Sequence, residues 1–240
     1  MRENGEWLRQ EVSEWGLTLT DEQLRQFDEY FKRIVETNKV MNLTAITEPR
    51  EVYIKHFYDS LLLAKSLDMN TIGSMIDVGT GAGFPGIPLK IAFPHLQLVL
   101  LDSLKKRVQF LRETGDALGL KQVECIHGRA EDFAKRKEYR QSFELATARA
   151  VARLNVLAEY CLPFVKVGGY FISMKGPSVD EEITEAKRAL FLLGKTTIEK
   201  VEFQLPEGMG TRNILIMKKR DQTPKAYPRK AGTPAKQPLC

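Results

Sequence analysis

The sequence predicts an α/β fold: a mostly parallel sheet of seven strands with an antiparallel last strand, covered by helices and preceded by a helical extension. Three observations predict it. From Ile72 onward, short apolar runs alternate with helix-period stretches, the pattern of a parallel sheet packed on both faces. The first run ends in Asp77 and passes directly into Gly79, Gly81 and Gly83, so a buried strand delivers its tip to a tight glycine turn. The last two runs are separated only by QLPEGMGTRN, which leaves no room for a covering helix and makes them a hairpin.

Residues 1–66 read as helices. Thr20 and Gln23 form a capping box ahead of an apolar face made by Leu24, Phe27, Phe31, Ile34 and Val35. NKVMNLTAI (38–46) lacks that period and reads as a loop. Thr47 then caps a second helix, entered through Pro49 and running to about Ser66, with His56 and Asp59 on one face. Strands follow at 74–78, 97–101, 122–126, 143–147, 170–174, 197–203 and 214–218. Gly119 and the Gly168-Gly169 pair read as helix stops, and Ser178 with Glu181 as the cap of the next helix. The organisation is a helical extension over 1–66, an α/β domain over 67–219 and a tail over 220–240.

The net charge of +5 is uneven. Residues 218–240 carry seven Lys or Arg against Asp221, a net +6, so the other 217 residues sum to −1. With Pro224, Pro228, Pro234 and Pro238 and few large apolar groups, this segment reads as extended or flexible. Its positive charge suits either a solubilising tail or an arm that neutralises phosphates, with Lys225, Arg229 and Lys230 as the RNA-binding candidates. Cys125, Cys161 and Cys240 are odd in number and have no metal-ligand spacing, which argues against zinc and disulfides. No run reaches membrane-spanning length and the first residues hold no signal core. A cytoplasmic, metal-free monomer is expected.

The string Gly81-Ala82-Gly83-Phe84-Pro85-Gly86 matches the dinucleotide fingerprint, a weak signal alone. Against a nicotinamide cofactor, the glycine series starts at Gly79, and Pro85 stands where a pyrophosphate needs donating amides. An acid followed by Gly-x-Gly-x-Gly suits a ligand without phosphates. S-adenosylmethionine has an amino-acid end for the turn (Asp77, Gly79, Thr80, Gly81, Gly83, Phe84) and a ribose for Asp102, 21 residues beyond Gly81. Its adenine suits the loop after the third strand, with Ala130 and Glu131. The fold class is therefore a Rossmann-like class I S-adenosylmethionine-dependent methyltransferase.

Several motifs together resemble one family, the ribosomal RNA small subunit methyltransferase G family, also called glucose-inhibited division protein B. They are Asn42-Leu43-Thr44, His56-Phe57-Tyr58-Asp59-Ser60, Asp77 to Gly86, Arg129-Ala130-Glu131, Ala148-Arg149-Ala150 and the tail Tyr227 to Pro234. The resemblance implies a bacterial enzyme that methylates one guanine at ring nitrogen 7 in small-subunit ribosomal RNA, on free RNA or on the subunit. It implies cofactor contacts at Gly79, Phe84, Ala130, Glu131 and Arg149.

The chemistry fits the residue types. The Asp/Asn-Pro-Pro-aromatic box of exocyclic amine methylation is replaced by Ala148-Arg149-Ala150-Val151. Cys125 and Cys161 read as core rather than as thiolate nucleophiles. Guanine N7 carries a lone pair and no proton, so alignment replaces general-base chemistry and can supply about 7–11 kcal/mol. Arg149, Lys175 and Arg212 are the candidates for positioning the base. His56 and Asp59 either lock the helical extension to the sheet or line the RNA approach with Asn42 and Thr44. A nicotinamide-dependent oxidoreductase and a non-catalytic RNA-binding assembly factor stay open as rival readings.

Overall fold

The computed structural model describes residues 2–149 and 151–240; Ala150, part of the Ala148-Arg149-Ala150 motif, lies outside them. The strands are β1 (Ser74–Val78), β2 (Gln97–Asp102), β3 (Val123–His127), β4 (Phe143–Arg149), β5 (Val165–Lys175), β6 (Thr197–Gln204) and β7 (Thr211–Lys218). They form one sheet in the order β3-β2-β1-β4-β5-β7-β6. The pairs from β3 through β5 are parallel, while β7 runs antiparallel to both β5 and β6. The strand order reverses beside β1, between β2 and β4, which opens a crevice at the carboxyl ends of the strands.

Alternating side chains give each sheet face its own core. One face packs under the N-terminal helices α1 (Arg2–Ser13), α2 (Asp21–Asn38), α3 (Pro49–Val52) and α4 (Asp59–Ser66), and under α5 (Gly86–Ala92). Leu8, Phe27, Tyr30 and Phe57 share that core with Met75, Leu98, Leu145, Ile172 and Ile214. The opposite face packs under α8 (Leu154–Cys161) and α9 (Asp180–Gly194) through Ile76, Ala146, Leu157, Phe171 and Leu190. The other α-helices are α6 (Lys105–Ala117) and the two short ones α7 (Ala130–Phe133) and α10 (Thr233–Lys236).

The capping box forms as expected: Gln23 N–H donates to Thr20 Oγ1 (3.3 Å) and Thr20 N–H to Gln23 Oε1 (2.8 Å). Four local expectations are corrected. Glu48, not Thr47, caps α3, its carboxylate accepting the Glu51 N–H at 2.9 Å. The second helix is not uniform, because a π-helical turn (Tyr53–Tyr58) separates α3 from α4. The residue at the cap of α9 is Val179, without a side-chain hydrogen bond, in place of Ser178. Gly168 and Gly169 do not stop a helix; they lie within β5, where its register against β4 shifts.

The tail is also corrected. Residues 220–240 pack along the body instead of trailing free. The Arg140 guanidinium donates to the carbonyls of Tyr227 (2.8 Å) and Thr223 (2.8 Å). Lys219, fully buried at its root, donates to the carbonyls of Leu162 (2.9 Å) and Val165 (2.7 Å). Composition counted too few apolar groups for folding and missed that charged side chains of the body could satisfy the tail's backbone.

Candidate active site

The glycine turn after β1 is held by carboxylates. Asp77, fully buried, accepts the Thr80 hydroxyl (2.7 Å) and the Gly86 N–H (2.9 Å) on Oδ2. Its Oδ1 is buried with no hydrogen-bond partner among the described residues. Burial raises this carboxyl to about 6, against the lowering effect of those two hydrogen bonds. Asp102 accepts the Gly81 N–H (2.9 Å) and the Leu104 N–H (2.8 Å), tying the turn to the end of β2. Gly79 and Gly81 sit at φ +68° and +63°, and a Cβ on Gly79 would stand 2.7 Å from Val151 Cγ2. Only glycine serves there.

Four further amides of the turn are engaged internally: Gly79 and Thr80 donate to Leu101 O, and Gly83 and Phe84 to Thr80 O. A pyrophosphate needs such amides free, so the turn is unsuited to a dinucleotide. The crevice beside it, a cavity of about 280 Å³, is lined by Gly79, Asp102, Ala130 and Glu131 together with Tyr160 and Ala235. An adenosine fits this donor and acceptor set. Glu131 itself is 3% exposed, and its carboxylate accepts the Gly232 N–H of the tail at 2.8 Å.

A second cavity of about 310 Å³ lies on the other side of the β4 tip, lined by Ile46, His56, Asp59, Arg149, Lys175 and Arg212, among others. Asp59 is its electrostatic centre. Fully buried, it receives Arg149 Nη1 at 3.1 Å on one oxygen and Arg212 Nε at 2.9 Å on the other. Arg149 also lies 4.7 Å from the Phe84 ring centroid, and His56 stacks on the same ring at 4.5 Å. Burial, then Arg149, pushes the His56 imidazole down to about 3, so it stays neutral at physiological pH. Its Nε2 lies 2.8 Å from Thr44 Oγ1. Lys175 Nζ donates to Glu182 (2.7 Å) and to Ala152 O (2.7 Å).

The structure thus brings Arg149, Lys175, Arg212 and His56 into one cavity, and Gly79, Asp102, Ala130 and Glu131 into the other. Asp77, Thr80, Gly81 and Gly83 shape the turn between them. Asn42 is exposed on a loop organised by Asn38, whose Oδ1 accepts the N–H groups of Leu43 and Thr44. Lys225 and Lys230 are exposed. Arg229 is not a free cation for RNA, because its guanidinium is paired with buried Glu159 at 2.6 Å. Cys125 and Cys161 have thiols pushed up by burial, the former to about 11, which disfavours the thiolate form a nucleophile needs. Tyr30 and Glu159 were not singled out from the sequence. Tyr30 donates its hydroxyl to Ala82 O of the glycine turn at 2.6 Å, yet reads as one more apolar-face residue. Glu159 gave a usable signal, an acid inside the apolar run LNVLAEYC.

A mostly parallel sheet with one reversed strand, a glycine turn at the β1 tip and an acid ending β2 define a class I methyltransferase. Solved structures agree on the fold: an O-methyltransferase from Bacillus cereus in complex with SAH superposes with a TM-score of 0.57 at 18% identity, over 88% of this chain and 96% of that one. A SAM-dependent methyltransferase from Aquifex aeolicus gives 0.50 at 18% identity, over 71% and 93%. The family model for rRNA small subunit methyltransferase G matches residues 23–213. Proteins named ribosomal RNA small subunit methyltransferase G are 54% identical in Brevibacillus brevis, over 93% of this chain and 94% of theirs, and 52% identical in Leuconostoc mesenteroides, over 95% and 96%. The chain belongs to the rRNA small subunit methyltransferase G family.

Proposed function

We propose that this protein transfers the methyl group of S-adenosylmethionine to ring nitrogen 7 of a guanine in small-subunit ribosomal RNA, in the bacterial cytoplasm. The carrying observation is full-length kinship with that family joined to a cavity that holds cations for a guanine edge and no competent base. The cofactor, when bound, supplies an electrophilic methyl on a cationic sulfur.

The chain's own residues bind and orient. Gly79, Asp102 and the main chain at Ala130 and Glu131 hold the adenosine. The Oδ1 of Asp77, without a hydrogen-bond partner among the described residues, gives the ammonium of the amino-acid end a counter-charge. Arg149 and Arg212, oriented by Asp59, and Lys175, oriented by Glu182, line the cavity, unlike Arg229, and their N–H groups beyond those pairs are the donors for the guanine carbonyl and for RNA phosphate. His56 is too weak a base to remove a proton, and N7 has none to remove. Asp59, between the two guanidinium groups, lowers the local positive charge, so the cavity tolerates the cationic base that forms. Asn42, Lys225 and Lys230 are exposed positions for backbone contacts outside the cavity.

The test is transfer of labelled methyl from S-adenosylmethionine to purified small ribosomal subunits, followed by mapping of the modified base. Label on guanine N7 is expected, with Arg149→Ala lowering kcat/KM by about 100-fold or more. Label on another atom, or none, would overturn the reading.

A further inference from the structure

We propose that the C-terminal segment 229–236 forms a wall of the cofactor cavity, and that the Arg229–Glu159 pair positions it. The proposal rests on reading that cavity as the adenosine site. Ala235, from α10, lines the same cavity as Gly79 and Asp102. The segment is joined to the cavity's own elements at two buried carboxylates. Glu131, at the start of α7, accepts the Gly232 N–H at 2.8 Å, and Gly232 reaches it at φ +83°, a conformation that side chains disfavour. Glu159, fully buried on α8, accepts the Arg229 N–H at 2.7 Å and its guanidinium at 3.0 and 2.6 Å. Tyr160, the next residue on α8, also lines the cavity.

The same guanidinium donates to Gln237 O at 2.8 Å, which closes residues 229–237 into a compact loop. Pro234 within it is buried. This geometry opposes the role of a free RNA-binding cation for Arg229, while Lys230 beside it stays exposed. An arm keeps its cations free for phosphates, whereas Arg229 is neutralised inside the protein. Without the segment, the buried carboxylate of Glu131 would lose a donor at the edge of the adenosine site, a costly state for a charged acceptor. Arg229 is thus a positioning residue, acting on the cofactor through residues 232–235.

The experiment compares wild type, Arg229→Ala, Arg229→Lys and a chain ending at Thr223. S-adenosylhomocysteine affinity is measured by calorimetry, and affinity for small-subunit RNA is measured at saturating S-adenosylhomocysteine. Arg229→Ala and the truncation should each weaken S-adenosylhomocysteine binding by about tenfold, and Arg229→Lys by less. In the two Arg229 variants RNA affinity should hold, and methyl transfer should recover at high cofactor, a KM effect; the truncation also removes the exposed Lys225 and Lys230, so its RNA affinity does not bear on the wall. In wild type, amide exchange across 230–236 should slow on adding S-adenosylhomocysteine, a readout that needs no variant to fold. Unchanged exchange, or unchanged S-adenosylhomocysteine affinity in a variant that melts cooperatively, overturns the wall. Loss of RNA affinity alone in Arg229→Ala overturns it in favour of the arm. Wild type that binds no S-adenosylhomocysteine overturns the cavity assignment instead, so the two failures are distinguishable.

Discussion

Two buried ionisable residues beside the glycine turn respond to pH in opposite directions. The folded pKa of His56 lies at about 3, below its ordinary 6.5. Its contribution to stability is therefore present above pH 6.5 and is lost as pH falls toward 3. The folded pKa of Asp77 lies at about 6, above its ordinary 3.8. Its contribution is full below pH 3.8 and is lost as pH rises through 6. Asp77→Asn keeps an acceptor for Thr80 and Gly86 without the buried charge. The melting temperature of the variant minus that of wild type should rise between pH 4 and 7; a flat difference would refute the raised pKa. For His56, the imidazole proton resonances should not titrate between pH 5 and 8 by NMR. That Asp77, Gly79, Asp102 and Arg149 gather at one end of the sheet was legible in the sequence, because strand ends in a parallel sheet converge. Tyr30 was not, because its partner Ala82 is distant in the chain, and Glu159 showed only as an acid in an apolar run, its partner Arg229 being equally distant.

At the scale of elements, α2 shows how a local signal acquires a tertiary role. Gln23 completes the capping box and also donates its amide to Ile91 O (2.8 Å) and Ala92 O (3.1 Å) at the end of α5. Thr20→Ala should therefore cost about 1 kcal/mol, the ordinary worth of a cap. Gln23→Ala should cost more, because it also leaves two carbonyls at the end of α5 without that donor. Urea unfolding of the two variants checks the order, and equal losses would remove the tertiary role. Strand and helix types were readable from apolar period along the chain. Boundaries were less so where two short-range signals compete. Thr47 and Glu48 both can cap, and the geometry chose the residue whose carboxylate reaches Glu51. Gly168-Gly169 has the composition of a helix stop, but backbone permissiveness equally serves a register shift within β5. The π-helical turn at Tyr53–Tyr58 was invisible, since its extra residue per turn blurs the apolar period instead of marking it.

The whole molecule is built on a core that disregards the division drawn at residue 66. Phe57 of the π-helical turn lies 5.4 Å from Tyr30 on α2, 4.9 Å from Tyr53 and 6.2 Å from Phe84 in the glycine turn, ring centroid to centroid. Tyr30 in turn holds Ala82 O, and Asp59 at the start of α4 holds Arg149 and Arg212 from two strands. The helical extension is thus one wall of the second cavity and one layer over the sheet. A fragment of residues 67–240 would expose the sheet face that carries Met75, Leu145, Ile172 and Ile214 and leave both guanidinium groups without their carboxylate. Such a face is large and contiguous, the kind that drives association in water. The fragment should fail to melt cooperatively by circular dichroism and should aggregate at low micromolar concentration. Phe57→Ala in the full chain, removing a fully buried ring, should cost about 3–5 kcal/mol and weaken cofactor binding together with stability, because the same ring backs Phe84. A fragment that folds and binds S-adenosylhomocysteine would show that the extension is a separate domain, and that the site's geometry is set by the sheet alone.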